Sequence, residues 1–183
     1  MPRAIFLDRD GTLNEETMYA HRIEDFRLLP GVIEGLQKLR DAGYLFFIIT
    51  NQSGIGRGIF SEKEMHRFND HLLSVLKQEG IRIEKVYFCP HHPEEGCDCR
   101  KPSPRYVFEA AKDFSIDLAG SYMFGDHRSD MLLARNAGIR SVFLLTGHGK
   151  EEFDRFGKEM SVDFVAKDLG EATGWVLDDN KRS

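Results

Sequence analysis

The sequence predicts an α/β fold, a three-layer sandwich with helices on both faces of a mainly parallel sheet. Three observations predict it. Short apolar runs alternate with segments of helical period along the chain, the pattern of repeated strand–helix units. The chain of 183 residues suits one domain, residues 1–183, large enough to bury a core without staples. Unusual polar residues directly follow four of the apolar runs, where an open parallel sheet keeps its ligand crevice.

The expected strands are residues 4–7, 45–50, 83–88, 121–124 and 141–145, with 164–166 a weaker sixth. After the first, Val32, Leu36 and Leu39 recur at helical spacing, and Gly43 supplies the stop. The next helix begins at Ser61, whose partner Glu64 completes a capping-box pattern, and carries Met65, Phe68, Leu72 and Leu76 on one face. A third starts near Ser103-Pro104, with proline at the first helical position, where its missing N–H costs nothing. A fourth spans residues 129–137 and ends at Gly138. Residues 150–160 read as a surface helix or loop, and the tail DDNKRS as frayed.

Composition narrows the function classes. Hydrophobic residues make up 41% of the chain and charged residues 30%, ordinary for a globular protein. A net charge of −5 argues against non-specific binding to nucleic acid or an anionic membrane. No apolar run reaches the ~18 residues of a membrane span, and the N-terminus lacks the long apolar stretch of a signal peptide. The expectation is a cytoplasmic monomer acting on a small molecule, with neither nucleic acid nor membrane as partner.

The chemistry gathers at the expected strand ends. Asp8 and Asp10 lie one residue apart where a buried strand gives way to Gly11-Thr12. Two carboxylates so close repel, and a hard cation such as Mg²⁺ relieves the repulsion. A lone Asp-x-Asp is usually a solvated loop pair, but the apolar approach and the other strand ends favour the metal. Asp126, after Gly125, is placed to close a Mg²⁺ site with Asp8, with Asp130 behind it; the bland alternative is helix capping by Ser129 or Asp130. The segment TNQSGIGRG, residues 50–58, offers the Thr50 hydroxyl, the side-chain amides of Asn51 and Gln52, backbone N–H groups and Arg57, a cradle for phosphate oxygens. Lys101 adds a fixed cation that can neutralise a phosphoryl group and the carboxylate beneath it. Together these groups describe phosphoryl transfer to a carboxylate.

All three cysteines fall in CPHHPEEGCDCRKP, residues 89–102. An odd count suits a metal better than a disulfide framework. Cys89, His91, Cys97 and Cys99 supply four ligands, enough for a closed, structural Zn²⁺ site, with His92 the competing imidazole.

Asp8-x-Asp10-Gly11-Thr12, Thr50-Asn51, Lys101 and Gly125-Asp126-x-x-x-Asp130 resemble, in order, the four motifs of the haloacid dehalogenase superfamily of phosphatases. The resemblance implies a Rossmann-like sandwich with Asp8 as the nucleophile that forms an aspartyl-phosphate. It implies Asp10 as the acid that protonates the leaving group and later activates water. Mg²⁺ would be held by Asp8, the backbone carbonyl of Asp10 and Asp126, while Thr50 and Lys101 steady the phosphoryl group.

The zinc loop followed by Arg100-Lys101 resembles the branch that holds heptose-bisphosphate and histidinol-phosphate phosphatases. Five residues between His91 and Cys97 are like the histidinol-phosphate enzymes, whereas Ser-Gly-Ile-Gly-Arg-Gly after Gln52 and Tyr19-x-His21 are like the heptose enzymes. The heptose resemblance implies substrate contacts at Glu16, Thr17, Met18, Tyr19, Asn51, Gln52, Ser53 and Arg100. It departs at His127, where the heptose enzymes carry lysine. No domain-sized insertion follows the first two motifs, so a minimal cap is expected. A polynucleotide 3′-phosphatase and a phospho-accepting receiver domain are the rival readings, the first opposed by the zinc loop and net charge, the second by the acid Asp10.

Overall fold

A computed structural model describes residues 1–179. Six strands form one parallel sheet: β1 (Arg3–Leu7), β2 (Tyr44–Asn51), β3 (Ile83–Cys89), β4 (Tyr122–Gly125), β5 (Arg140–Leu144) and β6 (Phe164–Ala166), in the order β3-β2-β1-β4-β5-β6. Every neighbouring pair is parallel, with Ile5 opposite Phe46 on one side and Tyr122 on the other. The crossovers carry α1 (Val32–Asp41), α2 (Ser53–Gly56), α3 (Glu62–Gln78), α4 (Arg105–Phe114), α5 (Arg128–Ala137) and α6 (Gly149–Phe156), and α7 (Leu169–Asp179) follows β6.

Strict alternation along the strands explains the two helical layers, because successive side chains leave a strand on opposite faces. Ile5, Leu7, Phe46 and Ile48 pack with Leu36, Leu72, Leu76 and Val176 on one face. Ala4, Phe6, Phe47 and Ile49 pack with Val107, Ala110, Leu133 and Ala134 on the other. Each such fully buried side chain contributes about 1.5–3 kcal/mol by leaving water. Strand order reverses between β1 and β4, which opens a crevice beyond their carboxyl ends.

The Ser61 capping box forms: its hydroxyl accepts from the Glu64 amide at 3.2 Å, and its own amide donates to Glu64 Oε2 at 2.7 Å. Three expectations need correction. Pro104 precedes α4 as its cap residue, not its first turn: its ψ of 5° is not helical, while its carbonyl already accepts from the Phe108 amide at 3.1 Å. Helix α5 starts one residue early, at Arg128; His127 and not Ser129 is its cap residue, and Asp130 completes a capping box by accepting from the His127 amide. Asp178 and Asp179 do not fray. They end α7, where Asp179 accepts from the Tyr122 hydroxyl at 2.7 Å and pairs with Arg140. The rest of that tail, residues 180–183, lies outside the described residues.

Helix α7 has no counterpart in the sequence expectations, since Gly170 and Gly174 lower its propensity. Tertiary packing makes it: Gly35 of α1 leaves room for Leu169 and Thr173, which a Cβ there would displace. Between β1 and α1 the chain has only a single 3₁₀ turn, Ile23–Asp25, so the crevice stays open. Among the described residues no helix is long and apolar enough to cross a membrane.

Candidate active site

Asp8 leaves the end of β1 with its amide bonded to the Phe124 carbonyl at 2.9 Å, which fixes it beside the tip of β4. Lys101 reaches in from the loop after β3. Its ammonium lies 2.7 Å from Asp8 Oδ1 and 2.6 Å from Asp130 Oδ1, buried at 4% exposure. Burial pulls the lysine down, but Asp130 and Asp8 outweigh that and hold it above its ordinary range. One carboxylate oxygen each from Asp8, Asp126 and Asp130 lies within 4.8 Å of the others. Burial, then Asp8 and Asp130, push Asp126 up to about 9; burial, opposed by Lys101 and reinforced by Asp130, pushes Asp8 to about 7.

Three carboxyls this close, with one ammonium against two of them, make an all-oxygen donor set that fits a hard divalent cation. The surroundings are built around it. A Cβ on Gly11 or Gly147 would run into the Asp126 carboxylate, so only glycine lets those turns close over it.

Asp10 sits in a network that the sequence did not disclose. Arg9, fully buried, grips it twice, Nε to Oδ1 at 3.0 Å and Nη2 to Oδ2 at 2.7 Å. Asn14 Nδ2 donates to Oδ1 at 2.9 Å and Gln52 Nε2 to Oδ2 at 2.9 Å. The guanidinium also donates from Nη1 to Asn69 Oδ1 at 2.9 Å, and from Nη2 to Gln52 Oε1 and the Ala20 carbonyl at 3.1 and 2.7 Å. Asn69 was the readable signal: it interrupts the apolar face of α3 that carries Met65, Phe68 and Leu72.

The crevice holds two adjoining chambers. The inner, of about 370 Å³, is lined by Asp8, Thr50, Arg100, Lys101, Asp126 and His127, together with Ser129. The outer, of about 240 Å³, adds Met18, Tyr19, Gln52 and Ser53. Asp10, Glu16, Asn51 and His148 border both. Burial and the neighbouring Asp10 raise Glu16 above the usual carboxyl range. Thr17 and Arg57 line neither chamber and point to solvent. Two expected substrate groups are already engaged. Gln52 holds Asp10 and donates to Thr50 Oγ1 at 2.8 Å, while Asn51 Oδ1 accepts from the Lys101 amide at 3.0 Å.

Cys89, His91, Cys97 and Cys99 form the second cluster. Sulfur separations are 3.5 and 3.6 Å, and His91 Nδ1 lies 3.6 Å from Cys89 and 3.2 Å from Cys99. Tetrahedral Zn²⁺ with ordinary bond lengths needs edges of about 3.8 Å between sulfurs and 3.5 Å from sulfur to nitrogen. The four residues fit it. His92 stands apart, accepting from the Glu94 amide at 3.3 Å to cap a short turn. The Cys89 and Pro90 carbonyls accept from the Gln52 and Gly56 amides, both at 2.8 Å, so the loop is tied to the segment after β2.

The open parallel sheet and the acids, threonine and lysine at its carboxyl edge define the class, a phosphatase of the haloacid dehalogenase superfamily. A family profile described as HAD-hydrolase-like matches residues 98–172. A D-glycero-beta-D-manno-heptose-1,7-bisphosphate 7-phosphatase of Haemophilus ducreyi is 41% identical over 83% of this chain and 91% of its own. A D-glycero-alpha-D-manno-heptose-1,7-bisphosphate 7-phosphatase of Photorhabdus laumondii is 44% identical over 82% and 86%. Among solved structures, a D,D-heptose 1,7-bisphosphate phosphatase from B. bronchiseptica, complexed with magnesium and phosphate, superimposes with a TM-score of 0.89 at 30% identity. It covers 97% of this chain and 99% of that one. The chain belongs to this family of HAD-like heptose-bisphosphate phosphatases.

Proposed function

We propose that the chain hydrolyses D-glycero-D-manno-heptose 1,7-bisphosphate at the 7-phosphate, releasing heptose 1-phosphate and inorganic phosphate. The carrying observation is Lys101, buried and bridging Asp8 and Asp130, beside Thr50 in a chamber open to a phosphate ester.

Asp8 attacks phosphorus in line with the ester oxygen, and the P–O bond to the sugar breaks. Thr50 and Lys101 donate to the phosphoryl oxygens as their charge redistributes. Asp10 gives its proton to the departing oxygen. In the second step it takes a proton from the water that attacks the aspartyl-phosphate, freeing phosphate and Asp8. Arg9, Asn14 and Gln52 hold the Asp10 carboxyl in position for both steps. Mg²⁺, held by Asp8, the Asp10 carbonyl and Asp126, would supply the charge that offsets the phosphoryl oxygens. Zn²⁺, held by Cys89, His91, Cys97 and Cys99, would keep Arg100 and Lys101 at the chamber wall.

Relatives named for both anomers match at similar identity, so the assay offers both. Phosphate release is measured from the α and β heptose bisphosphates and from histidinol phosphate. A higher kcat/KM on a heptose bisphosphate supports the reading; preference for histidinol phosphate, or a stable phosphoprotein without release, refutes it.

A further inference from the structure

A histidine between two glycines stands where the two chambers meet, and no step above employs it. His148 follows β5 in the segment Thr146-Gly147-His148-Gly149. The backbone there is held from several sides. The Thr146 hydroxyl donates to the Gly11 carbonyl at 2.6 Å, and the His148 amide donates to Asp126 Oδ2 at 2.8 Å. A Cβ on Gly147 would lie 2.5 Å from Gly11 Cα and strike the Asp126 carboxylate; one on Gly149 would strike the Leu144 carbonyl. Glycine on both sides lets the loop press against the acidic cluster with a single functional side chain on it.

That side chain faces the crevice. His148 borders both chambers with Asp10 and Glu16. Among the described residues the ring makes no hydrogen bond, whereas its neighbours Gln52 and Asn51 are committed to Asp10, Thr50 and the Lys101 backbone. A free donor and acceptor remain at the junction.

We propose that His148 binds the substrate, its imidazole hydrogen-bonding a hydroxyl of the polyol leaving group; this rests on the sugar-phosphate reading above. Position and chemistry name the ligand class. Asp10 serves the ester oxygen, so atoms just beyond it belong to the leaving group and not to the phosphoryl group. Imidazole supplies one donor and one acceptor, and Glu16 across from it supplies further acceptors, a set suited to hydroxyls. A second phosphate at this point would meet the Glu16 carboxyl.

Wild type, His148→Ala and His148→Gln are compared on heptose 1,7-bisphosphate and on p-nitrophenyl phosphate, whose aryl leaving group has no hydroxyl. In His148→Ala the ratio of kcat/KM values, heptose over aryl, falls roughly two- to tenfold, the span of one lost neutral hydrogen bond to substrate. His148→Gln, which keeps a donor and an acceptor, recovers part of it. Equal losses on both substrates would show the loop acting only through Asp126, and an unchanged ratio would show an idle ring; either overturns the proposal. Should the alanine variant melt early, His148→Phe keeps the bulk without the polar atoms and yields the same ratio. A wild type active on the aryl ester but not on heptose bisphosphate defeats the heptose reading alone. The ratio is then taken with glycerol 3-phosphate, and the same outcomes decide the role of His148.

Discussion

Arg9→Met tests whether the buried guanidinium is what builds the site around Asp10. Arg9 is wholly enclosed, lies 4.6 Å over the Phe68 ring, and satisfies Asp10, Asn69, Gln52 and the Ala20 carbonyl together. Methionine fills most of the same volume, so packing is largely kept while the charge and its donors go. Asp10 loses a two-point partner, and Asn69 Oδ1 and the Ala20 carbonyl stay buried without donors. Removing one partner of a buried pair costs about 3–5 kcal/mol, against ~0–1 kcal/mol for an exposed pair. For a chain of this size that lowers Tm by about 6–20 °C. Urea titration measures the loss, with the slope m expected to stay constant so that midpoint reports stability. Phosphate release should fall in kcat more than it rises in KM, because Asp10 loses its aim, not its contact with bound substrate. A stability loss below ~1 kcal/mol with unchanged kcat would refute the reasoning.

Asp8→Asn should abolish Mg²⁺-dependent phosphate release while the thermal melt stays cooperative; measurable turnover would remove Asp8 as the nucleophile. Cys97→Ser, or chelation of zinc, should lower both Tm and activity, because metal binding is coupled to folding of the loop tied to Gln52 and Gly56; unchanged melting would end the staple argument. Phe60→Ala should raise KM more than it lowers kcat and cost about 3 kcal/mol in urea titration. Its ring stacks on His21 at 4.8 Å, abuts Tyr19 and fills the space above Gly54. That packing holds Met18 and Tyr19 at φ of 42° and 68°, a left-handed pair that needs external support.

The strand pattern was legible because period and burial agree: alternation along β1 and β2 feeds both faces of the sheet, and each polar residue after an apolar run lies at its carboxyl edge. The cysteine segment was legible for a related reason, since chelation by neighbours in sequence writes its own spacing. Helix α7 was not, because its two glycines speak against a helix and only the surface of α1, opened at Gly35, makes one. His127 as the cap of α5 was missed because imidazole is an uncommon cap, and its amide needed Asp130 to answer it at 3.1 Å.

Residue type and order alone determined the α/β class, the metal-suited clusters and the strand ends that bear the chemistry, because these are local or periodic properties of the chain. Tertiary structure decided the rest. Arg9, between two aspartates, looks solvated in sequence, and only the meeting of the β1 loop with α3 and Gln52 buries it. Gln52 and Asn51 read in sequence as ligand contacts, and the fold in addition engages their amides with Asp10 and the Lys101 backbone. His148, on β5's loop, reaches Asp126 and borders the chambers only because the sheet places that loop against the tips of β1 and β4. Partners distant in sequence leave no spacing to read, and a hydrogen bond exists only once both ends are in place.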